Sequence, residues 1–242
     1  MTRIFNPIRP AMLAAASMLS LAGTPAAAQE LDLGDDRAGA SGDWGAMVTR
    51  ADGGHLLGNP QAEARLVEFM SYTCSHCANF ANSGEGAIKL LYVPTGKVAL
   101  EVRHLIRDPI DLTAALAAQC GTPDQFFGNH EAIMLKYPEW MAKARAATQA
   151  QTTRWRFGSF ASRAQAIASD LDFYEIMEPR GFSRTELDRC LTDDAKANAI
   201  AEQSRADIEK YGLRGTPTFL MGDTKLDAHD WDTLQPHLDK LF

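Results

Sequence analysis

The most constraining feature of the sequence is a pair of cysteines, Cys74 and Cys77, placed just after a short apolar run, residues 66–70. Such a run is typical of a buried strand, and the residues from Cys74 onward favour the start of a helix. Cysteines three positions apart at a helix start lie on one face, close enough to form a disulfide. The free amide N–H groups of the first helical turn favour the thiolate of Cys74, and a protonated His76 would act in the same direction. Together these features predict a redox site.

Two other uses of the motif remain open but are less favoured. A zinc site needs four ligands, and the sequence contains no second C-x-x-C. The remaining cysteines stand alone, and the histidines lack ligand spacing; these residues are Cys120, Cys190, His55, His104 and His130. A purely structural disulfide would be unusual in so tight a ring. No metal is therefore expected.

The first 28 residues have the pattern of a secretory signal peptide. Arg3 and Arg9 precede an apolar stretch at residues 11–23, and Ala26 and Ala28 fit the small-residue cleavage rule. Cleavage after Ala28 leaves 214 of the 242 residues, and no other stretch is long enough to cross a bilayer. The expected location is a bacterial periplasm, where disulfides form.

The charge of the chain argues against two kinds of partner. The net charge of −7 becomes −9 once the leader, with its two arginines and no acids, is removed. An acidic protein of this kind is not expected to bind nucleic acid or an anionic membrane.

The remaining chain alternates between β and helical character. Residues 29–43 form a predicted flexible lead-in, and a hairpin turning at Asp52 follows. The helix after the cysteine motif is expected to kink or restart at residues 83–86. A strand at residues 98–105 places Val98, Leu100 and Val102 in alternation with Glu101 and Arg103, and helical patterns then continue to Gly212, before a hairpin over residues 215–226 and a last helix.

This order of elements resembles a thioredoxin fold with an all-helical insertion domain, an α/β architecture, and in particular the DsbA-like family of exported thiol–disulfide oxidoreductases. The resemblance is carried by Gly-Asn-Pro at 58–60, the strand at 66–69, Tyr-Thr-Cys-Ser-His-Cys at 72–77 and Gly-Thr-Pro-Thr-Phe at 215–219. It implies a thioredoxin-like domain of residues 44–105 and 207–242 around a helical insertion domain of residues 106–206.

The resemblance also implies roles for individual residues. Pro217 matches the family's cis-proline, whose loop lies beside the reactive disulfide and binds substrate; an ordinary trans proline is the alternative. Thr216 stands where the best-known strong oxidant has valine, which leaves the oxidising strength open. Glu68 matches a buried acid that accepts the proton of the resolving cysteine, unless it is a surface glutamate on an edge strand. His76 matches a histidine that stabilises the thiolate, although a solvated histidine without a role is the alternative.

Cys120 and Cys190 fall within the implied insertion domain, and some relatives carry such a second pair. A structural disulfide is the simplest expectation in an oxidising compartment. Two free buried thiols and a second redox relay are the alternatives.

The predicted function is that of a dithiol oxidase without a cofactor, with Cys74 as the exposed sulfur and Cys77 as the resolving one. Its partners would be reduced or unfolded exported polypeptides and, from the resemblance, a quinone-linked membrane reoxidant of the DsbB type. An isomerase or reductase of the same fold is one alternative. Because isomerases of this fold usually bring an N-terminal dimerisation domain and the segment before the core is short, a monomer is expected. A non-catalytic peptide-binding or chaperone-like module is the alternative from another class.

Overall fold

The fold is built on a mixed sheet, seen in a computed structural model that describes residues 43–51 and 53–242. The predicted signal peptide, the lead-in up to residue 42 and Asp52 lie outside the described residues. The described strands are β1 Val48–Ala51, β2 Gly54–Leu57, β3 Ala64–Met70, β4 Val98–His104, β5 Thr218–Met221 and β6 Thr224–Lys225. They lie side by side in the order β1-β2-β4-β3-β5-β6.

Strand β3 lies inside the sheet because its side chains are apolar on both faces. It pairs in parallel with β4 and antiparallel with β5, while β1–β2, β2–β4 and β5–β6 are also antiparallel pairs. The predicted hairpins β1–β2 and β5–β6 are both confirmed. A parallel pair needs a crossover connection, and the segment after the cysteine motif supplies it.

That crossover is helix α1, Ser75–Phe80, which continues without interruption through two wider π-type turns, Ala81–Glu85 and Ile88–Tyr92. The restart predicted at residues 83–86 is therefore wrong. Close packing explains the glycine at 84, since a Cβ there would lie 2.6 Å from the ring of Phe80. Gly84 thus allows the ring of Phe80 to pack closely against a continuous helix.

Eight further helices separate β4 from β5, and one follows β6, as the resemblance implied. They are α2 Pro109–Ala118, α3 Phe126–Leu135, α4 Tyr137–Arg145, α5 Gln149–Arg156, α6 Phe160–Asp170, α7 Phe173–Met177, α8 Arg184–Leu191, α9 Asp194–Tyr211 and, at the end, α10 Trp231–Asp239. The expected domain boundary at residue 206 falls inside α9. Among the described residues, no helix is long and apolar enough to cross a membrane.

The two faces of the sheet carry cores of unequal size. Leu66 and Met70 of β3 belong to a large core that includes α1 and most of the insert, with Trp140 as its largest fully buried side chain. Val67 and Phe69 point the other way, into a small cluster completed by residues near the end of α9 and by β5. Burying one apolar side chain stabilises the fold by about 1.5–3 kcal/mol. Because the large core contains side chains from both the sheet and the insert, each of these parts is stabilised by packing against the other.

Glu101 and Arg103 are buried, although their alternation with Val98, Leu100 and Val102 suggested a polar face of β4. The Arg103 Nε lies 2.6 Å from Glu101 Oε1, and its Nη1 lies 3.1 Å from Asp207 Oδ1 on α9. Arg65 on β3 completes the cluster, with Nε 2.8 Å from Glu101 Oε2. Paired charges of this kind tolerate burial, so α9 packs over this face.

Three histidines that are distant in the sequence meet around the ring of Phe126, at the junction of β2, β4 and α3. His55 stacks on Phe126 with ring centroids 3.8 Å apart, and the rings of His104 and His130 lie within 5.8 Å of it. Burial lowers the pKa of His55 to about 3 and the pKa of His104 well below its usual value. Both rings therefore remain neutral in this apolar stack, which we call the histidine seam.

Cys120 and Cys190 are joined by a disulfide whose Cα atoms lie 5.5 Å apart. It ties the chain just after α2 to helix α8 across 70 residues of sequence. The structure thus contains the expected pair within the insert.

We predict that the double substitution Cys120→Ala and Cys190→Ala lowers the free energy of unfolding by up to about 4 kcal/mol, because the denatured chain gains the entropy of an open loop. Denaturant unfolding with and without the pair measures the difference. The control is the thiol chemistry of Cys74, which should be unchanged since the pair belongs to the insert. An unchanged unfolding midpoint would contradict a stabilising role.

Candidate active site

The cysteine motif begins where strand β3 ends. Residues 71–73 form a short corner after Met70, and Cys74 stands at the N-cap of α1 in an extended conformation (φ −97°, ψ 120°). As a thiol, Cys74 makes no capping hydrogen bond to the helix. As a thiolate, its sulfur can accept from the backbone N–H groups of the first helical turn.

Two aspartates at the start of α2 hold this corner in place. The buried Asp111 accepts hydrogen bonds from the Ser71 hydroxyl at 2.6 Å and the Tyr72 N–H at 2.8 Å. Asp108 caps α2 by accepting the Asp111 N–H at 2.9 Å, and also accepts the Thr73 hydroxyl at 3.0 Å. Burial raises the pKa of Asp111 to about 7 despite these donors. The position of Cys74 is thus fixed from the helical insert.

The two cysteines differ in access. Both are free thiols, and Cys74 is 6% exposed while Cys77 is completely buried. Cys74 borders a cavity of about 410 Å³, whereas no described cavity is lined by Cys77. Cys74 is therefore the more accessible of the two sulfurs to an incoming thiolate.

The environment of Cys74 strongly favours its thiolate. Its pKa is lowered to about 5, chiefly by a hydrogen bond from the thiol of Cys77. Partial burial opposes this, while the side chain of Thr216 and the backbone N–H groups of Cys77 and His76 lower the pKa further. As a thiol, Cys74 can instead donate to the Thr216 carbonyl at 3.2 Å. The Cys77 thiol, rather than the helix start that the sequence pointed to, is the main source of stabilisation.

The pKa values of Cys77 and Glu68 are raised, whereas that of Cys74 is lowered. Burial raises the pKa of Cys77 well above its usual value, and the hydrogen bond to Cys74 and the charge of Glu68 add to this. Glu68 lies on the central strand β3, paired between Val102 and Phe219, so the edge-strand alternative is excluded. It is 1% exposed, and burial raises its pKa well above the ordinary value. A buried acid whose pKa is raised therefore lies near the resolving cysteine.

The loop before β5 lies against the reactive sulfur. The Thr216–Pro217 peptide bond is cis, and the Thr216 carbonyl is within hydrogen-bonding distance of Cys74. The structure thus brings together Cys74, Cys77, Glu68, Thr216 and Pro217. His76 has an exposed side chain, and its hydrogen bond to the Cys74 thiolate comes from its backbone N–H. A role for its imidazole stays a prediction.

A second buried network lies behind the site and was missed at the level of sequence. The Tyr72 hydroxyl lies 3.0 Å from His130 Nδ1, and His130 Nε2 lies 2.8 Å from Glu85 Oε1. Lys89 binds the other Glu85 oxygen at 2.7 Å. Although burial by itself would raise it, His130 and Lys89 hold the pKa of Glu85 at about 2. Glu85 is thus a buried anion whose charge helps to keep Glu68 protonated.

Asp108 and Asp111 were also missed, although a signal was present. The sequence Asp-Pro-Ile-Asp at 108–111 combines a capping residue, a proline in the first turn and an acid three positions after the cap. That pattern predicts a helix start but not its contact with residues 71–73, which depends on the tertiary fold. No such local signal exists for the Tyr72–His130–Glu85 network.

Comparison with known families and proteins agrees with this geometry. Residues 50–240 match the family model described as thioredoxin. A protein-disulfide isomerase from Novosphingobium aromaticivorans is 46% identical in sequence, with a TM-score of 0.75; the alignment covers 79% of this chain and 99% of that one. Wolbachia pipientis alpha-DsbA1 shares the fold at 20% identity and a TM-score of 0.62, over 79% of this chain and 92% of that one.

Curated relatives are more distant. A protein from Rickettsia conorii, named among the protein-disulfide oxidoreductases, is 25% identical over 190 residues, which make up 78% of this chain and 60% of that protein. A relative from Rickettsia typhi is 24% identical over 76% of this chain and 60% of its own length. The chain thus spans about 60% of the length of the curated relatives that it matches.

We predict that Cys77→Ala raises the pKa of Cys74 from about 5 by roughly 1 to 2 pH units, because a hydrogen bond to a charged group is worth about 1.5–3 kcal/mol. Thiolate absorbance near 240 nm during a pH titration measures this value. Cys77→Ser is the matched control, since its hydroxyl can still donate and should keep the pKa low. If the alanine variant still ionises near 5, the helix start and Thr216 would suffice and Cys77 would not be the main donor.

Proposed function

We propose that this chain, which belongs to the thioredoxin family, is an exported thiol–disulfide oxidoreductase that introduces disulfides into secreted proteins. The single observation that carries the proposal is the unequal pair: Cys74 ionises near pH 5, while the pKa of Cys77 is well above normal. A stabilised thiolate favours the reduced form of the protein, and therefore makes its disulfide a stronger oxidant. The direction of transfer thus follows from the Cys74 environment.

The reaction begins with the disulfide form, in which Cys74 and Cys77 are joined. A client thiolate attacks the accessible sulfur of Cys74; a mixed disulfide forms and the bond to Cys77 breaks. Cys77 leaves as a thiolate and takes a proton from the neighbouring Glu68, whose pKa burial raises; when the disulfide forms again, Glu68 is the acceptor of the proton of Cys77. A second client thiolate then attacks the client sulfur of the mixed disulfide and expels Cys74 as a thiolate. The client loses two electrons and gains a disulfide, and the protein is left reduced.

The environment of Cys74 also explains its quality as a leaving group. The Cys77 thiol, the side chain of Thr216 and the backbone amides of His76 and Cys77 stabilise the departing thiolate. The loop at Thr216 and Pro217 borders the same sulfur, so it is the expected docking place for the client backbone.

Several further expectations belong to this proposal. The leader at residues 1–28 would direct the chain to the periplasm, where its clients would be reduced, unfolded exported polypeptides. No cofactor is needed, because the electrons pass through the Cys74–Cys77 pair. A quinone-linked membrane protein of the DsbB type would restore the disulfide, and the chain would act as a monomer.

An isomerase or reductase is the second candidate, and one observation favours it. The protein-disulfide isomerase of Novosphingobium aromaticivorans is 46% identical to this chain. Isomerisation begins with attack by a reduced Cys74 on a wrong client disulfide, and a low pKa makes that thiolate available at neutral pH. The balance between the two directions is set by the reduction potential.

The proposal is tested with the oxidised protein and a reduced, unfolded two-disulfide client. We expect the client to lose thiols and gain disulfides at the rate at which Cys74 and Cys77 become reduced. The Cys74→Ser variant should transfer none while keeping any peptide binding. Equilibration with glutathione gives the potential, and a value near −120 mV supports the oxidase whereas one near −270 mV favours the reductase. If the unaltered protein binds the client but the client loses no thiols, the protein would instead be a peptide-binding module.

We predict that Glu68→Gln slows reduction of the Cys74–Cys77 disulfide by dithiothreitol at least about 10-fold at neutral pH, because the variant cannot supply the proton that Cys77 needs. Stopped-flow kinetics over a pH series measures the loss. Glu63→Gln, at an exposed site, is the control and should leave the rate unchanged.

We also predict that Glu68→Gln, although slower in the reaction, has a higher free energy of unfolding at neutral pH. Because the folded-state pKa of Glu68 is raised, its burial weakens the fold as pH rises above the unfolded value near 4.5. Glu68→Gln should therefore be more stable than the unaltered protein at pH 7, and the gain should disappear below pH 4. A variant that is slower and also less stable at pH 7 would contradict the assigned role.

A further inference from the structure

Two cavities adjoin the reactive site, and the loop before β5 lines both of them. The first, of about 410 Å³, contains Cys74 and is bordered by Arg107 and Arg214. The second, of about 470 Å³, contains Pro217 and is bordered by Arg214 and Lys225. Arg214 and Thr216 belong to both linings, so the two spaces meet at the loop that touches the Cys74 sulfur. We call Arg107, Arg214 and Lys225 the cationic rim.

The lining of these two cavities is unusual in this molecule. Neither contains an aspartate or a glutamate. Three other cavities, of about 530, 240 and 390 Å³, each include at least one carboxylate: Asp207 and Asp223 in the first, Asp108 in the second, and Glu139, Asp172 and Glu175 in the third. The whole chain carries a net charge of −7. Positive charge is thus concentrated at the reactive sulfur against the overall charge of the protein.

The charges of the rim are available to a ligand. Arg107 and Arg214 are exposed, and within residues 43–51 and 53–242 neither guanidinium forms an ion pair. Among the residues that the structure describes, Lys225 donates to the Gly212 carbonyl, at 3.3 Å, and forms no ion pair, so no acid there compensates its charge.

Two acids that lie close to the rim in sequence, Asp108 and Asp227, have other contacts or line neither cavity. Asp108 follows Arg107 in sequence, but its oxygens accept from Thr73 and from the α2 backbone, and it lines a different cavity. Asp227 lies 3.9 Å from His229, is fully exposed and lines neither cavity. The field beside Cys74 therefore remains positive.

We propose that the cationic rim makes this protein selective for client polypeptides that carry aspartate or glutamate beside the attacking cysteine. The inference rests on the proposed function and names its substrate class. A polypeptide fits better than a small acidic thiol because the positive charges are divided between two spaces that share Thr216, with Arg107 in one and Lys225 in the other, and each space is large enough for a side chain. A chain passing the sulfur would place one neighbour of its cysteine in each space.

The rim acts on the first step of the transfer. Carboxylates beside a cysteine raise the pKa of its thiol, which slows formation of the attacking thiolate. Arginines at the encounter reverse this penalty, since they attract the acidic segment and stabilise the thiolate that forms the bond to Cys74. The electrons and the proton then follow the route already given, with Cys77 leaving and Glu68 supplying its proton.

The test compares three synthetic two-cysteine peptides that differ only in the residues flanking the first cysteine, which are glutamate, glutamine or lysine. Their rates of oxidation by the full-length oxidised protein are measured by acid quenching and chromatography. Each rate is divided by that of the same peptide with bis(2-hydroxyethyl) disulfide, which removes the intrinsic effect of the flanks on thiol reactivity. We expect the normalised rate of the glutamate peptide to exceed that of the lysine peptide at least about 10-fold at about 20 mM salt, and less than about 3-fold at 0.5 M, because salt screens exposed charges.

Variants then assign the preference to the rim. Arg107→Gln with Arg214→Gln should reduce the glutamate-to-lysine ratio at low salt to less than about 3-fold. The matched control is Arg189→Gln with Arg205→Gln, which removes the same charge from exposed positions that line neither cavity and should keep the ratio.

The outcomes separate this inference from the proposed function. If the glutamine peptide is not oxidised, the function itself fails. If it is oxidised but the glutamate and lysine peptides have equal normalised rates, or if both double variants lose the preference equally, the selectivity is refuted. A preference seen with glutathione over cysteamine but absent from the peptides would assign the rim to a small acidic thiol and also overturn the inference.

Discussion

The hydrogen bond from the Cys77 thiol to the Cys74 sulfur is the interaction on which the rest of the site depends. This hydrogen bond makes the largest contribution to the low pKa of Cys74. Because Cys77 must keep its proton to donate it, the same hydrogen bond raises the pKa of Cys77. A single contact therefore makes one cysteine a good leaving group and the other a poor acid. The surrounding structure maintains that contact: Asp111 and Asp108 fix the corner before Cys74, and burial in the main core keeps Cys77 away from water.

Much of this arrangement follows from local sequence. The apolar run of β3, the C-x-x-C spacing and the turn residues of the two hairpins each act over a few positions, and the structure confirms the strands and the hairpins. The cis bond before Pro217 was expected through the family resemblance, and the disulfide between Cys120 and Cys190 through the oxidising compartment together with that resemblance; the structure contains both. The interruption expected at residues 83–86 was wrong. Gly84 leaves room for the ring of Phe80 within a continuous helix, and this packing contact cannot be inferred from local helix propensity.

The remaining features depend on contacts between distant segments. Glu101 and Arg103 resemble an exposed face by their alternation, yet Asp207 from α9 and Arg65 from β3 pair with them and permit burial. Likewise, Tyr72, His130 and Glu85 are far apart in sequence and form one network only when α3 packs behind the site. The burial of a polar residue can be predicted only when its pairing partner is known, because an unpaired polar group is costly to bury. Here the partners lie far away in the sequence.

The histidine seam couples the integrity of the fold to acidity. His55 and His104 remain uncharged while they are stacked around Phe126, but each would gain a proton below pH 6.5 once released into water. Loosening of this junction therefore takes up protons, and every drop in pH from neutrality toward 3 shifts the balance further toward the opened form. An acidic environment consequently weakens the contact between the sheet and α3, and with it the support behind Tyr72.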